Sequence, residues 1–87
     1  MPRGHAIEPR RELVGFALRS LRAGRVSLQQ GFIFTAEANL RNAEQAIADL
    51  RGTDVEAIRL EIAAARQELP PAAEMDAMFA RLMAGEE

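Results

Sequence analysis

The sequence predicts an all-α domain of four helices built on a central antiparallel hairpin, and three observations predict it. Ile33, Ala36, Leu40, Ala43, Ile47 and Leu50 recur at spacings of three and four, the period of one helix face. Val55, Ile58, Ile62, Ala65 and Leu69 resume that period directly after Gly52-Thr53-Asp54. Two seams joined so briefly zip together as an antiparallel pair. Third, glycine or proline closes the periodic stretches, at Gly24, Gly52, Pro70-Pro71 and Gly85.

Residues 1–8 read as an irregular arm, because Pro2, Gly4 and the lack of periodicity argue against regular structure. The remainder, 9–87, reads as one helical domain, with 71–87 able to dock as a separate segment. Pro9 suits a first helical turn, where its missing N–H costs nothing. Leu13, Val14, Ala17, Leu18 and Leu21 then form a stripe widened by Phe16, and Gly24 supplies a helix stop, so the first helix is expected over 9–23. Ser27-Leu28-Gln29-Gln30 has the form of a capping box and places the second helix at 27–51. Thr53-Asp54-Val55-Glu56 repeats the device and places the third at 54–69. After Pro70-Pro71 a fourth helix is expected over 71–84, with Glu74 and Asp76 near its positive end. No repeat of solenoid period is present; a tetratricopeptide frame would break the second helix inside its seam, at Glu37–Ala38.

Size and charge narrow the classes of function. With 87 residues the chain makes one small domain of marginal core, and self-association as a homodimer is the expected additional source of stability. It has no cysteine and a single histidine, His5, which exclude disulfides and thiolate metal sites and leave a zinc site short of ligands. The net charge of −2 conceals an asymmetry: residues 1–25 carry six arginines against Glu8 and Glu12, whereas 26–87 carry five against eleven acids. Every basic residue is arginine, the signature of a GC-rich coding genome, and so a bacterial or phage origin is expected. No signal sequence and no apolar run of ~18–20 residues is evident, so the expected setting is cytoplasmic, away from membranes.

Catalytic chemistry finds no foothold. Glu37, Glu44, Glu61 and Glu68 are spaced like the acids of di-iron bundles, but the Glu-x-x-His motif of such bundles is missing. Glu37 and Arg41 instead form an i,i+4 pair on a solvated face. Ser20, Ser27, Thr35 and Thr53 have no evident base, and Gly24-x-x-Ser27 is a turn rather than a phosphate loop. No catalytic residue, metal or cofactor is expected.

Surface recognition is the expectation that remains. Met75, Met78, Phe79, Leu82 and Met83 line one side of the fourth helix, a flexible apolar stripe able to fill a groove on a larger protein. The same stripe can instead cap its own hairpin, or be exchanged between two subunits. Phe34 and Leu60 project away from their seams and mark a second adhesive face, to be covered by another helix or another subunit. Asn39 lies within the apolar stripe of the second helix, either as a buried residue that sets register or oligomeric state or at the stripe's edge in water. The leading expectation is a non-catalytic regulator, adaptor or inhibitor acting on a larger protein through these residues. The alternatives are a nucleic-acid-associated protein using Arg11, Arg19, Arg22 and Arg25, and a structural subunit of a larger assembly. Against nucleic acid stand Glu12 on the same face, the acidic whole and the want of aromatic residues among the arginines. A helix-turn-helix is excluded because the second helix is too long for a recognition helix.

The stretch Leu21-Arg22-Ala23-Gly24-Arg25-Val26-Ser27-Leu28-Gln29-Gln30 resembles the helix–turn–helix junction of the exonuclease VII small subunit, a small helical hairpin protein. The likeness is a glycine stop followed by a capping box. The expected second helix is shorter than in that family and two further helices follow, so no function is carried over.

Overall fold

A computed structural model describes residues 9–85 and contains four α-helices: α1 (Pro9–Gln30), α2 (Ile33–Ala46), α3 (Thr53–Arg66) and α4 (Ala72–Met83). No strand occurs among the described residues. The all-α, four-helix architecture is therefore as the sequence predicts. The expected arm at 1–8, with His5, lies outside the described residues.

The first helix boundary differs from the expectation, and the difference reorganises the hairpin. Helix α1 runs through Gly24 and Ser27 to Gln30, so the stretch 21–30 is continuous helix and not a junction. Gly24 does not stop the helix; it lets a neighbour in. A Cβ at this position would lie 3.0 Å from Leu40 Cδ2 and 3.4 Å from the Ala36 carbonyl oxygen. Ser27 is buried on the helix instead of capping one. The chain reverses one turn later at Gly31, whose φ of +84° is the left-handed conformation that favours glycine. The Gly31 N–H donates to the Leu28 carbonyl at 3.1 Å and the Phe32 N–H to that of Ser27 at 2.9 Å, closing α1 in this turn. With so short a turn, α2 returns antiparallel along α1, and this pair is the most closely packed in the molecule.

The core follows from that pairing. Ala17 and Leu21 of α1 meet Leu40, Ala43 and Ile47, and Val55, Ile58, Ile62 and Ala65 of α3 close the cluster. Both predicted seams are thus internal, although α2 ends at Ala46 and not near Arg51. Ile47 and Leu50 keep their inward register through the turns that follow.

Arginines, rather than the expected capping boxes, secure the connection from α2 to α3. The Arg59 guanidinium donates to the carbonyls of Ile47 (2.7 Å) and Leu50 (2.9 Å) beyond the end of α2, the Ile47 carbonyl also accepting from the Leu50 N–H at 3.1 Å. Arg10 reaches over from α1 to the Arg51 carbonyl (2.8 Å) and binds both carboxylate oxygens of Asp54 (2.8 and 3.1 Å). Thr53 is the first residue of α3 and provides no side-chain cap; Gly52 stands at the cap position. Asp54 accepts instead from the Val55 N–H at 2.8 Å.

Two predictions follow from these contacts. Alanine has a helix propensity ~1 kcal/mol better than glycine, so Gly15→Ala, at a site where the nearest atom is Arg19 Nη1 at 3.5 Å, should stabilise by 0.5–1 kcal/mol. Gly24→Ala should lose that gain to crowding against the fully buried Leu40, and Gly24→Val should destabilise by about 2 kcal/mol; urea unfolding of the three variants measures the contrast. The second concerns acid. The hydrogen bond from Arg10 holds the Asp54 carboxyl below its ordinary range, against a smaller opposing effect of desolvation. The folded chain therefore binds this proton less readily than the unfolded chain. The resulting stability is complete above the unfolded value of about 3.9 and is lost as pH falls through the lower folded value. Asp54→Asn should remove that part of the acid limb of a stability–pH curve, and added salt should shrink the difference because the pair is exposed.

Candidate protein-interaction surface

The surface is built where the chain breaks at Pro70-Pro71. Neither proline can donate a backbone hydrogen bond, and Pro71 is extended (φ −56°, ψ 151°), so α3 cannot continue and α4 leaves in a new direction. The Met75 N–H donates to the Pro71 carbonyl at 3.0 Å, fixing the first turn of α4 on the break. From Met75 the residues at i+3, i+4 and i+7 are Met78, Phe79 and Leu82, a single face.

Exposure rises steadily along that face. Met75 is buried and Met78 half-buried, whereas Phe79 is 54% exposed, Leu82 64% and the neighbouring Met83 70%. One end of the stripe is seated on the bundle and the other is in solvent. Phe34, half-buried near the start of α2, meets Phe79 edge to face with ring centroids 6.0 Å apart and planes at 65°. Its cover is therefore α4.

Beneath this contact lies an open cleft of about 750 Å³ whose apolar lining includes Phe34, Leu69, Pro70, Pro71, Met75 and Phe79. Glu37, Arg41, Arg66 and Asp76 also reach it. Most of these charges are already answered. Arg41 is bound in a fork by Glu37. Arg66 donates to both oxygens of Glu44 at 2.7 and 2.8 Å and lies 3.8 Å from Glu37. The bond from Glu44 holds the Arg66 guanidinium above its ordinary value, and it stays charged and occupied. What the cleft offers a ligand is apolar area between neutralised charges, suited to an apolar side chain or helix edge.

The other residues singled out from sequence lie elsewhere. Leu60 is 72% exposed on α3 and does not line the cleft. Asn39 is half-buried on the flank of α2. Arg11, Arg19, Arg22 and Arg25 are exposed on α1, with Arg25 3.9 Å from Glu61. Sequence reasoning missed Leu69 and the two prolines as cleft walls, and it missed Phe16 and Phe32 as exposed aromatics. The prolines were visible as a break, but the walls they form depend on the direction α4 takes.

Among the described residues no group of three or more His, Cys, Asp or Glu is placed to hold a metal ion, and no helix is long and apolar enough to cross a membrane. No family model, curated protein or solved structure matches the chain.

The gradient along α4 predicts a split response. Met75→Ala removes the seated anchor and should raise hydrogen exchange of α4 amides about 10-fold or more, from a local loss of ~2 kcal/mol. Leu82→Ala should leave that exchange within about twofold.

Proposed function

We propose that this chain is a non-catalytic protein-interaction module, a small cytoplasmic regulator or adaptor of bacterial or phage origin. It binds a larger protein through the outer half of α4 and the cleft at its base. One observation carries the reading: a single helical face that is seated at Met75 and open at Phe79, Leu82 and Met83. An isolated exposed leucine would need no explanation, but a contiguous aromatic–methionine–leucine face beside an apolar cleft is the form of a helix-binding groove. Methionine adds adaptability, since its unbranched thioether repacks against varied surfaces. A helix of the partner laid along α4 would cover Leu82 and Met83 and place one apolar side chain against Phe34 and Phe79.

The test is capture of partners by the tagged chain from native lysate, with and without nuclease, in parallel with the double variant Leu82→Glu/Met83→Glu. A stoichiometric protein that survives nuclease and is lost in the double variant, at unchanged helicity and melting temperature, is the expected result. Retention of that protein by the double variant would overturn the assignment of α4. Partners that disappear with nuclease, and with Arg11→Gln/Arg19→Gln/Arg22→Gln, would replace this reading with nucleic-acid binding.

A further inference from the structure

The charges around the cleft beneath α4 do not balance. On its α2–α3 side Glu37 and Arg41 close on each other in a fork, and Arg66 closes on Glu44. On its α4 side stands Asp76, which makes no hydrogen bond or ion pair among the described residues. Three carboxylates thus meet two guanidiniums, and the excess negative charge resides on Asp76.

Helical spacing fixes where that charge sits. Ala72, Met75, Asp76 and Phe79 are the α4 residues that line the cleft, at positions i, i+3, i+4 and i+7. Asp76 therefore shares a face with Phe79 and lies one turn nearer the Pro70-Pro71 break, about 4.5 Å along the axis. Apolar area at the Phe34–Phe79 contact and an unanswered carboxylate are offered side by side. In the free chain Asp76 is exposed to solvent. A partner that covers the cleft strips away that water. A neutral group laid over Asp76 leaves its charge desolvated and unpaired, and an acidic group adds repulsion. Only a cation answers it.

Resting on the reading of α4 given above, we propose that the cleft takes a helix of a protein partner bearing a lysine or arginine one turn from an apolar residue. The apolar side chain enters against Phe34 and Phe79, and the cation pairs with Asp76. A second apolar residue, three or four positions further along the same face, covers Leu82. A basic residue followed by two apolar ones, each a turn apart, is the pattern that this surface selects. An acidic segment meets Asp76 as a like charge, as do the phosphates of a nucleic acid.

Fluorescence anisotropy of three labelled, alanine-rich helical peptides of about 20 residues, titrated with the full chain, tests that pattern. Each peptide carries two leucines one turn apart, flanked a turn away on both sides by lysine, by glutamine or by glutamate. Flanking both sides presents the residue to Asp76 in either chain direction. The lysine peptide should bind about threefold more tightly than the glutamine peptide and about tenfold more tightly than the glutamate peptide, a preference that shrinks as salt is added. Asp76→Asn should bring the three affinities within about twofold of one another, Asp76→Glu should keep their order, and Asp76→Lys should reverse it. An acid near the start of α4 also favours that helix, so the order of the peptides is read and not their absolute affinity. Equal binding of the three by the unmodified chain overturns the proposal. So does an order that Asp76→Lys leaves unchanged, or a lysine peptide that fails to bind at millimolar concentration. Leu82→Ala/Met83→Ala tests the reading of α4 separately: it should weaken all three peptides together and preserve their order. Equal binding that this double variant weakens removes the basic residue and leaves α4 as the binding surface. A charge order that the double variant does not touch keeps Asp76 and the cleft and removes the outer half of α4.

Discussion

The fold depends on how closely α1 and α2 approach at Gly24. Because that residue has no Cβ, the Leu40 side chain lies within 3.0 Å, and the Ala36 carbonyl oxygen within 3.4 Å, of the place a Cβ would take. Ala17 on one helix and Ala36 and Ala43 on the other, all fully buried, extend the narrow seam in both directions. Small residues bring the helix axes together, and the larger Leu21, Leu40 and Ile47 fill the groove on the α3 side. Helix α3 completes a core begun by the other two. This order explains why the seams of α2 and α3 both point inward although the tightest pair is α1 with α2.

The same close pairing leaves the far ends of α2 and α3 to be joined by a short loop whose carbonyls have lost their helical partners. Arginine answers them. The planar guanidinium of Arg59 spans the Ile47 and Leu50 carbonyls at once, and that of Arg10 spans the Arg51 carbonyl and the Asp54 carboxylate. A lysine ammonium, a point charge, has no such fixed fork. Each bond is partly or fully exposed and contributes modestly alone. Their effect is geometric: α1 and α3 are both fastened to one loop, which sets the angle at which α3 crosses the hairpin.

The four-helix class and the inward registers were legible because apolar period reports burial directly. The position of the first turn was not. Gly24 and Ser27 carry the residue types of a helix stop and a cap, yet each serves close packing inside a helix, and the same small size that suits a turn also suits a tight helix crossing. One signal favoured continuity: Val14, Ala17, Leu21, Gly24 and Leu28 keep spacings of three and four straight across the expected break. At the other end of α2 the period outlasted the helix, since Ile47 and Leu50 stay inward within turns. The methionine stripe of α4 was visible as a face. Its division into a seated and an open half was not, because that depends on where Pro70-Pro71 aims the helix relative to Phe34.

The described chain is extended for its size, 58 by 26 by 22 Å with a radius of gyration of 15.8 Å, where about 12 Å is usual for a compact chain of this length. An elongated form of so few residues has a thin core and a large surface, so flanking apolar groups such as Phe16, Phe32 and Leu82 stay in water. Burying any of these faces in a complex would add to folding stability by linkage, about 2.7 kcal/mol for a partner present at a hundred times its dissociation constant. For a small domain that is a substantial share of the total. In such a complex association and folding would be two parts of one equilibrium, and any residue that bound the partner would also help decide how much of the chain is folded.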